Sequence, residues 1–280
     1  MSKSYRRPPV NLSRLRGLVS IALLTASAPC LAQEGNDSEH DLAQKLSNPV
    51  SSLISVPFQE NIDFDGGPRD KGLKSTLNIQ PVVPISLGPK WNVIMRTILP
   101  VIAQDDISAP HAHEFGLGDT TQSFFFSPKK TGPGGLVWGV GPAILYPSAT
   151  DRSLGGDKWG LGPTVVLVKQ SGKSTFGMLA NQIWSVAGND TRPDVSTTFL
   201  QPFYSYSTIK ATTYSINAET SYDWKNDKWT VPINVSVAQL TKIGKQRVQI
   251  GAGARYYIER PENGPHWGVR LVLTLLFPKK

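Results

Sequence analysis

From about Val50 onward the sequence alternates apolar and polar side chains with a period of two, and it keeps that period almost to its end. In Thr212 to Trp224, Tyr214, Ile216, Ala218, Tyr222 and Trp224 share one face, while Ser215, Asn217, Glu219, Ser221 and Asp223 share the other. The same pattern runs through Trp229 to Val237, Arg247 to Glu259 and His266 to Phe277. Successive side chains of a strand point to opposite faces, so each segment reads as a strand with one greasy and one wet side. Weaker versions span Leu53 to Phe64, Leu73 to Leu87, Trp91 to Ile102, Gly118 to Ser127, Gly135 to Tyr146, Lys158 to Lys169, Thr175 to Ala187 and Val195 to Tyr206. The expected total is about twelve strands, an even number as in bacterial single-chain barrels.

Alternation alone also fits a soluble sandwich. Three features favour a single antiparallel transmembrane barrel. The segments run to about ten to fourteen residues, longer than an ordinary strand and long enough for a tilted membrane crossing. Trp91, Trp138, Trp159, Trp184, Trp224, Trp229, Trp267, Tyr146, Tyr222 and Phe277 fall near strand ends on the apolar face, where interface girdles form. The polar face carries Gln80, Arg96, Asn181, Asn217, Glu219, Asn234, Gln249, Arg255 and Arg270 in mid-strand, as a wet lumen accepts. Pro81, Pro84, Pro142, Pro163, Pro202 and Pro232 oppose the reading unless they sit at bulges or ladder breaks.

The ends bound the compartment. Lys3, Arg6, Arg7, Arg14 and Arg16 precede the apolar run Leu18 to Ala28, the layout of a secretory signal peptide. The expected signal is 1–32, cleaved after Ala32, followed by a short periplasmic helical segment at 33–49 and a barrel at 50–280. Within 33–49, Ser38 to Ser47 reads as one helix: Ser38 caps, Asp41 lies three residues on, and Asn48-Pro49 stops it. Cys30 is the single cysteine, so a disulfide scaffold is excluded. The formal charge of +8 falls to +3 once the leader goes, leaving 24 basic residues against 21 acidic, and no basic stripe suggests nucleic acid. The expected localisation is the cell outer membrane. The expected partners are its lipid bilayer, the outer-membrane assembly machinery and a small-molecule solute whose identity the sequence leaves open.

Several stretches carry a resemblance: LAQKLSNPVSSLISVPFQENIDF, GLGDTTQSFFFSP, LANQIWSVAG, FLQPFYSY, WTVPINVSVAQLTKIGKQRVQIGAGARYY and RPENGPHWGVRLVLTLLFPKK. Together they resemble Gram-negative outer-membrane transporters related to the barrel proteins of meta-pathway phenol degradation. The resemblance implies an outer-membrane barrel and passage of small, hydrophobic or aromatic molecules. It implies no catalytic residue.

Arg96, Glu219, Arg255, Arg270, Asn217 and Gln249 are the candidates for lining a lumen, where interior charge sets ion preference. An arginine excess there favours anionic or neutral polar solutes; the plainer alternative is that the charges pair and fill the space. His111, His113 and Glu114 are weak metal candidates, since H-x-H supplies two of the three or four ligands a site needs. Gly132 to Gly135 and Ser153 to Gly156 lack the Lys-Ser/Thr and helix of a phosphate loop and read as turns. No cofactor is expected. The leading function is a channel or facilitator for small solutes. A barrel enzyme acting on lipids, with His266 near a strand serine, and a structural or surface-interaction barrel are the alternatives.

Overall fold

The structure is a computed structural model and describes residues 38–277. The expected signal peptide, 1–32, lies outside the described residues. One helix, α1 (Glu39–Leu46), comes first, and its boundary is set by a capping box. The Ser38 hydroxyl accepts from the Asp41 N–H at 3.1 Å, and the Asp41 carboxylate accepts from Ser38 in return.

Apart from one 3₁₀ turn at Pro133–Gly135, every element described after it is a strand. In chain order the segments are β1 (Ile54–Gly66), β2 (Gly72–Ile79), β3 (Val82–Leu87), β4 (Trp91–Asp105), β5 (His113–Leu117), β6 (Thr120–Pro128), β7 (Leu136–Tyr146) and β8 (Lys158–Ser171). They continue as β9 (Ser174–Gly188), β10 (Ser196–Ser207), β11 (Thr212–Ala218), β12 (Thr220–Asp223), β13 (Lys228–Ile243), β14 (Gln246–Glu259) and β15 (Trp267–Phe277). The pairs β2/β3, β5/β6 and β11/β12 are single crossings with a break, so these 15 segments make twelve crossings. Every pairing is antiparallel, β1 bonds to β15, and β9 bonds to β10, so the sheet closes on itself.

Burial separates a membrane barrel from a sandwich. Leu271, Val235 and Ile250 are 51%, 49% and 48% exposed, whereas Asn234, Asn61 and Arg270 are 1%, 3% and 4% exposed. Apolar side chains point out and polar ones point in, the inverse of a protein dissolved in water. Hydrocarbon is the medium that makes the outward belt favourable, and closure leaves no strand edge unpaired in it. Aromatic pairs ring both ends of the belt. Trp91 meets Trp138 edge-on at 5.9 Å near the short turns; Tyr146–Trp159, Tyr222–Trp229 and Phe64–Trp267 lie 5.3, 4.6 and 4.5 Å apart at the other end.

One expected loop shrinks. The expected strands Trp91 to Ile102 and Gly118 to Ser127 leave 103–117 between them, but β4 runs on to Asp105 and β5 pairs back against it, so 106–112 is the turn and 147–157 is longer. The ladder continues here beyond the apolar belt because backbone pairing costs nothing extra in water.

The prolines sit where the ladder already fails. Pro81 falls in the break between β2 and β3, and Pro232 falls at a bulge in β13. Pro142 and Pro163 face each other across β7 and β8, and the outer neighbour of each skips residues: β6–β7 pairing jumps from Ser123–Ala143 to Phe126–Val140, and β8–β9 from Leu161–Trp184 to Thr164–Asn181. Each missing donor thus coincides with a place where no partner is offered. The bent backbone comes close enough that only glycine fits beside the prolines. A Cβ on Gly141 would lie 1.8 Å from the Phe124 carbonyl oxygen, and one on Gly162 would lie 1.7 Å from that of Gln182.

Gly162→Ala is therefore expected to destabilise the barrel by at least about 1–3 kcal/mol, read as a lower folded fraction in heat-modifiable gel migration and a lower urea midpoint in lipid. An unchanged midpoint would show that the wall is looser here than its register implies.

Candidate functional site

The central carboxylate belongs to Glu219, at the break between β11 and β12; Pro202 of β10 and Pro232 of β13 flank the break, and the pairing register is the same on both sides of it. The Glu219 N–H donates to the Pro232 carbonyl at 3.2 Å. Its side chain enters the lumen, where Arg270 grips it with a fork: Nη1 to Oε1 at 3.0 Å and Nη2 to Oε2 at 2.7 Å.

The fork extends into a belt. Arg270 Nε donates to Asn61 Oδ1 at 2.7 Å, Arg255 Nη2 stands 3.8 Å from Glu219, and Arg255 Nη1 reaches Asp63 at 3.4 Å. Lys74 is in register with Asp63 across β1 and β2. Arg96 stands apart: its Nη2 donates to Gln80 Oε1 at 3.0 Å, and among the described residues no carboxylate lies within ion-pair distance of it. Arg96, Arg255, Arg270 and Lys74 face only Asp63 and Glu219, an excess of two positive charges. Asn217 accepts from Asn234 Nδ2 at 2.9 Å, and Gln249 stands opposite Thr274.

Below the belt the lumen is plugged. α1 lies across the short-turn end: His40 Nδ1 is 3.0 Å from the Thr208 carbonyl oxygen, Gln170 Nε2 donates to the Gln44 carbonyl at 3.0 Å, and Gln44 Nε2 donates to the Gly172 carbonyl. Leu42 and Ala43 are buried with Leu53, Ala211, Leu240 and Leu276. Beyond the helix the chain crosses to the far wall, where Asn48 Oδ1 accepts the Val50 N–H at 3.0 Å and turns Val50 into a cluster with Ile94, Phe125, Val166, Val168 and Leu179. Between plug and belt lies a cavity of about 260 Å³ whose lining includes Asn48, Gln80, Arg96, Asn217, Gln249 and Arg270.

The six sequence candidates therefore all face the interior: Arg96, Asn217, Gln249 and Arg270 at the cavity, Glu219 and Arg255 in the belt. Sequence reasoning missed Asp63, Asn61 and Lys74. Asn61 and Asp63 alternate with Ile62 and Phe64, a signal that was available, yet nothing local told that they meet arginines some 200 positions later. The two histidines do not converge. His113 Nδ1 is 2.6 Å from Asp105, whereas His111 Nε2 is 3.4 Å from Arg69 Nη1, and the described residues contain no cluster of three or more metal-ligating side chains. His266 lies 3.6 Å from Asp70 in an outer loop.

No family model matches the sequence, and no curated protein matches it. Solved structures do. An outer membrane channel from Pseudomonas putida F1 aligns with a TM-score of 0.61 at 15% identity, covering 80% of this chain and 94% of that one. The two share a fold. The β domain of the Bordetella autotransporter BrkA aligns at a TM-score of 0.42 and 10% identity, covering 81% of this chain and all of that one, too loosely to carry an argument. The chain thus has the fold of an outer-membrane β-barrel.

Two outcomes follow from the geometry. Glu219→Ala leaves two guanidinium groups with one fewer carboxylate and is expected to cost about 3–5 kcal/mol, measured as a lower urea midpoint in vesicles. In the outer hairpin, the hydrogen bond and charge of Asp105 raise the pKa of His113 above its ordinary value. Their ion pair is complete below that ordinary value and fades as pH rises through the raised one; Asp105→Asn should move the His113 NMR titration back down.

Proposed function

We propose that the protein is an outer-membrane channel or facilitator for small solutes, held closed at its periplasmic end by residues 38–53. The observation that carries the reading is the polar cavity between plug and charged belt, since a barrel built only for rigidity needs no such space. The solved neighbour bears the name of an outer membrane channel, which supports the reading. In this account residues 1–32 are the export signal, 33–49 a short periplasmic helical segment and 50–280 the barrel, delivered to the membrane by the outer-membrane assembly machinery, with residues 38–53 forming the plug. Arg96, Glu219, Arg255, Arg270, Asn217 and Gln249 line the solute path, and the positive excess favours anionic or neutral solutes over cations. The resemblance to phenol-degradation barrels adds a hydrophobic or aromatic body to the solute.

Ala43 is fully buried against the barrel, so Ala43→Glu should undock the helix without touching the wall. In planar bilayers the variant is expected to conduct several-fold more than the natural chain, with a reversal potential in a salt gradient that favours anions. A folded, heat-modifiable barrel that passes neither current nor solute in either form would end the channel reading.

A further inference from the structure

An apolar cup lies inside a lumen that is otherwise polar. Ile94, Phe125, Val166, Val168 and Leu179 point inward from β4, β6, β8 and β9, with Val82 and Phe203 packed against them. A wall that meets water on its inner side gains nothing from such residues, and Val50 of the plug is what covers them. Asn48 and Pro49 shape the turn that delivers Val50, and the Asn48 side chain holds its N–H. Directly beside the cup stands the belt arginine whose hydrogen-bond partner is an amide and which, among the described residues, no carboxylate reaches within ion-pair distance. Arg96 lies two positions beyond Ile94 on the same face of β4, its cross-strand partner is Val82, and its side chain lines the cavity together with Val82, Phe203 and Pro49.

We propose that the cup and Arg96 together form a binding site for small amphipathic carboxylates with a compact apolar body, and that Val50 is an internal stand-in for that body. The carboxylate takes the free edge of the Arg96 guanidinium, and the aromatic or branched body enters the cup. A six-membered ring is bulkier than the isopropyl group of Val50, so it enters only when the plug segment withdraws. A solute that binds the withdrawn state alone shifts the population toward it, so the ligand opens the passage it uses. This inference rests on the channel reading above.

Benzoate, benzamide and acetate separate the two halves of the site: ring with charge, ring without charge, and charge without ring. Equilibrium dialysis of the full chain in lipid nanodiscs, against empty nanodiscs, is expected to show saturable benzoate binding, at least tenfold weaker benzamide binding and no saturable acetate binding. Val50→Asn removes the competitor from the cup and should tighten benzoate about tenfold; Arg96→Gln should weaken benzoate about tenfold and leave benzamide unchanged. The natural chain and Val50→Asn decide the matter even if the arginine variant fails to fold. Absence of saturable benzoate binding in both, equal binding of acetate, or an affinity unmoved by Val50→Asn would each overturn the proposal. Current through Ala43→Glu without benzoate binding defeats this site and leaves the channel standing. Benzoate binding that tightens in Val50→Asn, with no current in any variant, defeats the channel and leaves the site.

Discussion

Backbone hydrogen bonds in a medium without water must find partners within the chain, and most of this architecture follows from that requirement. An open sheet would leave the free edges of β9 and β10, or of β1 and β15, facing hydrocarbon, where each unpaired group costs several kcal/mol. Closing the ring removes both edges. It also creates an interior, and the period of two then sends every second side chain into it whether or not the chain has a use for one there. The lumen is thus a by-product of closure, and its chemistry is set by which residues the sequence places on the inward face.

Prolines cannot donate, so they are confined to places where the ladder breaks. Glu219 lies at such a place, with Pro202 and Pro232 on the neighbouring strands, yet the register is unbroken on both sides and its carboxylate points inward by the same alternation as Asn217. What is specific there is the partner: the fork of Arg270 makes a charge-assisted pair inside the ring.

Much of the barrel was legible because its signal is local and repeated: alternation marked each crossing, and the inward position of Arg96, Arg255 and Arg270 follows from counting by two along their own strands. Their partners were not legible, since Asn61 and Asp63 sit on the first strand and meet the last two only after the ring has closed. The plug was legible as a helix, through Ser38, Asp41 and Asn48-Pro49, but not as a plug. Leu42 and Val50 look like any apolar side chains in a short helical segment, and the surface that receives them is assembled from strands scattered along the whole chain. The loop at 106–112 was overestimated because pairing outside the membrane leaves no hydropathy signature.

The contact between β1 and β15 has a consequence for how the molecule is made. Asn61 and Asp63 wait on the first hairpin for arginines carried by the last one, so the ring cannot be sealed until synthesis and export are nearly finished. When it seals, a slip of one residue would turn Arg270 toward lipid and leave Asn61 and Glu219 without it. The seam therefore acts as a proofreading step, accepting the closing strand in the one alignment that neutralises its guanidinium.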